Sequence, residues 1–249
     1  MQNLNIVNVM SILLRALNSI DIRLVNHGCR VAYIVYKMLE LDGSYSKREM
    51  QEICIITALH DIGAFKTEEI DNMFNFESKE VWHHSIYGYL FIKNMTPLSK
   101  WAEIILYHHL DYNKYYLVEC DKLKLAGLIH LADRIDIHFF NKTTALNINY
   151  FYKYQGIKFS LEALELFIKA DQKYDIQNHI NDGSYLDELA DFISTMAYDE
   201  QILLQYIKMI ASTIDFRSVT TVNHVVSTVS ISVELAKIFR LNAETIKQI

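Results

Sequence analysis

Histidine and aspartate recur along this chain in an ordered series: His27, then His60-Asp61, His83-His84, His108-His109, and finally Asp133. Imidazole and carboxylate together suit borderline divalent metals such as Fe, Mn, Co, Ni or Zn. Adjacent residues on a helix point about 100° apart. A His-Asp pair can therefore give an imidazole to one metal and a bridging carboxylate to two. A lone buried histidine is ordinarily a core residue. Burying this many potential ligands inside apolar helices is costly unless metal or polar partners compensate.

The elements that must position these residues read as helices, because apolar residues recur at helical spacing almost throughout. Leu13, Leu14, Leu17 and Ile20 mark a first helix, and Val31, Ile34, Val35 and Met38 a second that stops at Leu41-Asp42-Gly43. Ser46 and Glu49 form a capping box for a third helix, which is expected to end near Gly63. Further helices are expected from about His84 to Pro97, from Leu98 to His109, and over Leu123–Phe140, Ser160–Ala170, Leu186–Ala197 and Asp199–Thr213, with Asp171–Gly183 as a polar loop. Convergence of several helices in a bundle core is how all-helical proteins build metal sites. The expected fold class is all-α, a helical bundle with extra C-terminal helices.

Composition agrees. There are 7 glycines and 1 proline in 249 residues, too few for the tight turns a β-protein needs. The net charge is −6 and no Lys/Arg stripe is present, so nucleic acid is not an expected partner. An anionic substrate would then be attracted by a local cation, for which bound metal is the candidate. Cys29, Cys54 and Cys120 are isolated and fit a reducing compartment. Apolar runs such as Ile53–Leu59 are too short to span a bilayer, and no export signal is evident. A cytoplasmic protein with no membrane partner is expected.

Ala58-Leu59-His60-Asp61-Ile62-Gly63 resembles the signature of the HD superfamily of metal-dependent phosphohydrolases. His84-Ser85-Ile86-Tyr87-Gly88, His108-His109-Leu110-Asp111 and Leu131-Ala132-Asp133-Arg134-Ile135-Asp136 resemble the later motifs of its HD-GYP subgroup, whose well-known members hydrolyse cyclic di-GMP. The resemblance covers about residues 20–198. It implies that His27, His60, Asp61, His84, His108, His109 and Asp133 hold two divalent metals, with Asp61 bridging. Fe or Mn is the first expectation, with Mg, Co, Ni or Zn as alternatives. The metals would polarise a phosphoryl oxygen and supply hydroxide for in-line attack, which implies a phosphodiesterase acting on cyclic di-GMP or another nucleotide-like phosphoester.

The departures are specific. The family's Lys three residues after the Asp is Ala64 here, and Lys66 is the only nearby stand-in, so the expected catalytic set is His60, Asp61 and Lys66. The Glu after the paired histidines is Leu110, and Asn113-Lys114-Tyr115-Tyr116 stands where Gly-Tyr-Pro is found. Arg23 occupies a position where some members hold a third metal with an acidic residue. These changes favour an alternative, a degenerate regulatory module that holds metal or nucleotide without efficient turnover. A purely structural helical adaptor is a third reading. Finally, Ile20-Asp21-Ile22-Arg23 before His27 is echoed by Ile214-Asp215-Phe216-Arg217 before His224. The expected organisation is an HD-type domain over 1–198 and, over 199–249, helices resembling the truncated start of a second HD unit, through which a homodimer is expected. His224 is expected to be free of metal.

Overall fold

The computed structural model describes residues 22–64, 82–140, 146–196 and 219–247, with short helical stretches between 201 and 209; the side chains of 22–25, 140, 219–227, 243 and 247 lie outside the description. In chain order the helices are α1 (Ile22–Asp42), α2 (Lys47–Ala58), α3 (Trp82–Met95), α4 (Ala102–Tyr107), α5 (Leu123–Phe140), α6 (Ile148–Tyr152), α7 (Leu161–Tyr174), α8 (Ile176–Asp182), α9 (Tyr185–Ser194), α10 (Val219–Ile238) and α11 (Ala243–Lys247). Two 3-10 turns, Ser99–Trp101 and Tyr112–Leu117, flank α4. Among the described residues the only β pairing is an isolated bridge between Gln155 and Phe159. The all-α expectation holds.

α1 is the axis of the bundle. It packs against α2, α5, α7 and α9. Val31, Ala32, Val35, Met38 and Leu39 are wholly buried, because neighbouring helices cover α1 on several sides. Its polar exceptions are tied down. Lys37 pairs with Glu188 of α9 and lies 4.4 Å from the Tyr36 ring and 4.9 Å from the Tyr174 ring. The Tyr33 hydroxyl donates to the other Glu188 oxygen at 2.7 Å. α1 approaches α2 closely because Gly28 has no side chain: a Cβ there would lie 2.5 Å from the Ala58 carbonyl oxygen.

Several expectations shift. The capping box opens α2 as read, with Ser46 Oγ accepting from the Glu49 amide and Glu49 accepting from the Ser46 amide. That helix ends at Ala58, however, and His60–Gly63 form tight turns instead of its last turn. Asp171–Gly183 is not a loop. α7 continues to Tyr174, and α8 follows at once because Asp175 takes a left-handed conformation (φ 53°), so the chain turns without a linker. Its polar residues occupy the outer face, while Ile176 and Ile180 enter the core. The expected helix at Leu13–Ile20 lies outside the described residues, and that at Asp199–Thr213 lies largely outside them.

Candidate metal centre

Every expected ligand is delivered to one buried place between α1, α3 and α5. His27 sits in the second turn of α1. His60 and Asp61 follow the end of α2, where local turns rather than a continuing helix aim both inward. His84 enters from α3, His108 and His109 follow the last turn of α4, and Asp133 enters from α5. α3 is held against the dyad by another close approach: a Cβ on Gly63 would lie 2.0 Å from the His84 carbonyl oxygen and 2.6 Å from the Gly88 amide.

The donor atoms fall into two groups. His27, His60 and Asp133 form one, and Asp61, His84, His108 and His109 the other. Asp61 serves both. Its Oδ2 lies 3.2 Å from His60 Nε2 and 3.6 Å from His27 Nε2, while its Oδ1 lies 3.6 Å from His84 Nε2 and 3.7 Å from His108 Nε2. Asp133 Oδ1 completes the first group at 3.2 Å from His27 Nε2 and 4.0 Å from His60 Nε2. In the second group, His84 Nε2 and His109 Nε2 lie 2.9 Å apart. Ligands at right angles around a metal with bonds of ~2.1 Å are ~3 Å apart, and opposed ligands ~4 Å. The separations fit.

The chemistry of the donor set fits as well. His60 Nε2, His108 Nε2 and Asp61 Oδ1 are buried without a hydrogen-bond partner. Orphaned polar atoms of this kind are rare and costly, and here all three belong to residues of the two donor groups. The ring nitrogens pointing away are satisfied: His60 Nδ1 donates to the Thr57 carbonyl at 2.8 Å and His108 Nδ1 to the Ile105 carbonyl at 2.6 Å. Each anchor lies three residues back in the same turn and fixes the tautomer that leaves Nε2 as a donor to metal.

Protonation follows the same logic. Burial drives His84 down to about 3 and holds His60 and His109 below the ordinary imidazole range. Burial opposes ionisation of Asp61 and Asp133, but the imidazoles, and Arg134 beside Asp133, outweigh it and hold both well below the usual carboxylate range. Neutral imidazoles with ionised carboxylates are the state that ligates metal. His27 is the exception: burial lowers its proton affinity, but hydrogen bonds that its ring donates to Asp133, Asp136 and Asp61 prevail and raise it well above the ordinary value. α5 grips both nitrogens of this ring, with Asp136 Oδ2 2.7 Å from Nδ1.

Other expected residues divide. Lys66 lies outside the described residues, as does the Arg23 side chain. Ala64 is buried. His83 is exposed beside the buried His84, and His224 has no described side chain. His130 is buried with its ring centroid 5.8 Å from that of His109, and burial takes it down to about 3. His138 stacks on Tyr150 and His179 meets Ser184 Oγ, so both are structural. Tyr87 and Tyr112 are exposed. Sequence reasoning assigned no role to Arg30, Arg134 and Asp136. Arg134 donates twice to Asp133 Oδ2, at 2.9 and 2.7 Å, which leaves Oδ1 to face the first group. The available signal for Asp136 was its position one helical turn after Asp133.

Residues 24–137 match the family model described as HD domain. This segment is similar to HD domains. A curated relative, the 3'3'-cGAMP-specific phosphodiesterase 1 of Vibrio cholerae serotype O1 (strain ATCC 39315 / El Tor Inaba N16961), is 29% identical over 137 residues, which are 54% of this chain and 32% of the relative. The chain thus spans about a third of the length of that relative. No solved structure gives a significant match. HD domains bind divalent metals, and both donor groups lie inside the matched segment. No helix among the described residues is long and apolar enough to cross a membrane.

Proposed function

We propose that this HD domain is a metal-dependent phosphodiesterase that uses a dinuclear centre to hydrolyse a cyclic dinucleotide or a related phosphoester. The observation that carries the reading is Asp61, whose two oxygens face two separate groups of donors. In it, His27, His60, Asp61 and Asp133 hold one metal, and Asp61, His84, His108 and His109 the other. Bound metals supply a hydroxide nucleophile near neutral pH and neutralise charge on the phosphoryl group. The chain's own residues set the geometry: Thr57 and Ile105 carbonyls fix two imidazoles, Arg134 fixes Asp133, and the surrounding apolar helices exclude bulk water. Fe or Mn is the expected metal. The relative named above acts, by its name, on 3'3'-cGAMP, so that dinucleotide joins cyclic di-GMP as a substrate to test.

Two observations favour the second reading, a module that holds metal or nucleotide without efficient turnover. Ala64 replaces the family's phosphate-contacting lysine. The stretch that replaces Gly-Tyr-Pro is a 3-10 turn, anchored where the Tyr115 hydroxyl sits against Gly127 of α5. The deciding experiment is metal analysis of tag-free protein, followed by assays of 3'3'-cGAMP, cyclic di-GMP and bis-p-nitrophenyl phosphate with Mn or Fe. Phosphodiester cleavage that His60→Ala abolishes supports the enzyme. Nucleotide binding without cleavage supports the module.

We also read α10 and α11 as the opening of a second HD-like unit. α1 is followed by Gly43 in a left-handed conformation (φ 69°) and then the Ser46 cap of α2. α10 is followed by Arg240 in the same conformation (φ 54°) and then Asn242, whose side chain accepts from the Thr245 amide. Val229, Ile231, Leu235 and Ile238 of α10 are exposed apolar residues, which suits the proposed self-association of this region.

A further inference from the structure

The anchors of the cluster histidines are not alike. His60 and His108 lean on carbonyls of their own turns, which no substitution can remove. His27 leans on a side chain of another helix, Asp136 of α5. That carboxylate is itself clamped by Arg30, one turn after His27 on α1: Nε donates to Oδ1 at 2.6 Å and Nη2 to Oδ2 at 2.9 Å. All three side chains are buried. Resting on the two-metal reading above, we propose that Asp136 and Arg30 are a positioning pair that fixes the tautomer and angle of His27, and thereby sets metal affinity in the His27–His60–Asp133 group and not in the other.

A carboxylate behind an imidazole draws on Nδ1–H and makes Nε2 a better donor to metal. The guanidinium occupies both Asp136 oxygens and so leaves the carboxylate no freedom to turn away from Nδ1. The bidentate fork also fixes the carboxylate plane, and with it the ring that Asp136 holds. A merely structural ion pair would tie α1 to α5, but a buried pair yields little net stability for the desolvation it costs. It would also leave no reason for Oδ2 to be shared with a ring whose other nitrogen faces the donors of the cluster.

The test is Mn(II) titration of the metal-free protein, followed by electron paramagnetic resonance, with thermal melting of the chelated protein alongside. Asp136→Asn keeps the shape and an acceptor oxygen but not the charge. The double variant Arg30→Gln/Asp136→Asn removes both charges, so that no guanidinium is left buried without its partner if the single variant folds poorly. Wild type should bind two Mn(II). Both variants should bind one as tightly as wild type and the other ~10–100-fold more weakly. Unchanged affinity at both sites, or equal losses at both in step with a lower melting temperature, would overturn the assignment alone. Failure of the wild type to bind Mn(II) would overturn the two-metal reading and this assignment together.

Discussion

Replacing Gly63 by alanine should cost one metal and leave the other. The added Cβ would sit 2.0 Å from the His84 carbonyl oxygen and 2.6 Å from the Gly88 amide, where ordinary van der Waals contact begins at 3.4 Å. Both contacts are backbone, so no side chain can swing aside, and α3 must retreat by more than ~1 Å. His84 rides on that helix. Metal–ligand distances tolerate only ~0.2 Å, so the retreat removes His84 from the Asp61–His84–His108–His109 group. Affinity at that site should fall at least ~100-fold, on the scale of rate losses that ~1 Å misplacements cause in active sites. The His27 group has no ligand on α3 and should keep its metal. Overpacking of this kind costs roughly 1–3 kcal/mol, enough to lower the melting temperature without unfolding the bundle. Elemental analysis after dialysis against a weak chelator should find one metal per chain, against two for wild type. Two metals held with wild-type affinity would refute the argument that the Gly63 contact places His84.

His60→Ala should abolish tight binding in the His27 group. It should leave the circular dichroism spectrum helical and shift the stability of chelated protein by no more than ~1–2 kcal/mol, because the lost packing is offset by removal of a buried nitrogen without a partner; full metal occupancy would count against the ligand assignment. The metal-free protein should also lose stability as pH falls. His84 and His130 have folded-state values of about 3 against 6.5 unfolded. Below 6.5 the unfolded chain therefore takes up protons that the folded one refuses, and stability present at pH 7 is lost progressively towards pH 3. From pH 7 to 5 each contributes a loss of ~2 kcal/mol. His27, shifted the other way, returns part of that loss over the same interval. His60 and His109, also held low by burial, add to the loss, so melting of chelated protein should show a net drop between pH 7 and pH 5 of at least a few kcal/mol; a flat profile would refute the buried-neutral assignment.

Helices and the clustered histidines and aspartates were legible because they leave traces along the chain. The capping box at Ser46 and Glu49, the apolar run of α1 and the His-Asp series could all be read directly, and the structure brings the series together except for the exposed His83. Outer contacts were not legible, because they depend on which turn faces which helix. Arg30 and Asp136 are 106 residues apart, and nothing local announces their pairing. The dyad was expected at the end of a helix. It lies in turns beyond Ala58, and that early ending lets His60 and Asp61 aim the same way. Asp171–Gly183 was misread because its polar residues are the outer face of two abutting helices, and the left-handed Asp175 between them offers no glycine or proline as a signal.

The Lys37–Glu188 contact has a consequence for what counts as a unit. The HD match stops at residue 137, and every proposed ligand lies before that point. Yet α1, which carries His27 and forms the floor for the others, is covered on its far side by α7 and α9. Leu164, Phe167, Ala170, Tyr185 and Leu189 fill that side, and Glu188 neutralises the ammonium of Lys37. A gene fragment ending at 137 would encode the whole ligand set and none of this cover, exposing an apolar flank of α1 to water and removing one of the two carboxylates that hold Lys37. The inherited motif is shorter than the piece that folds. Transplanting the centre into another protein means carrying the chain through Ser194.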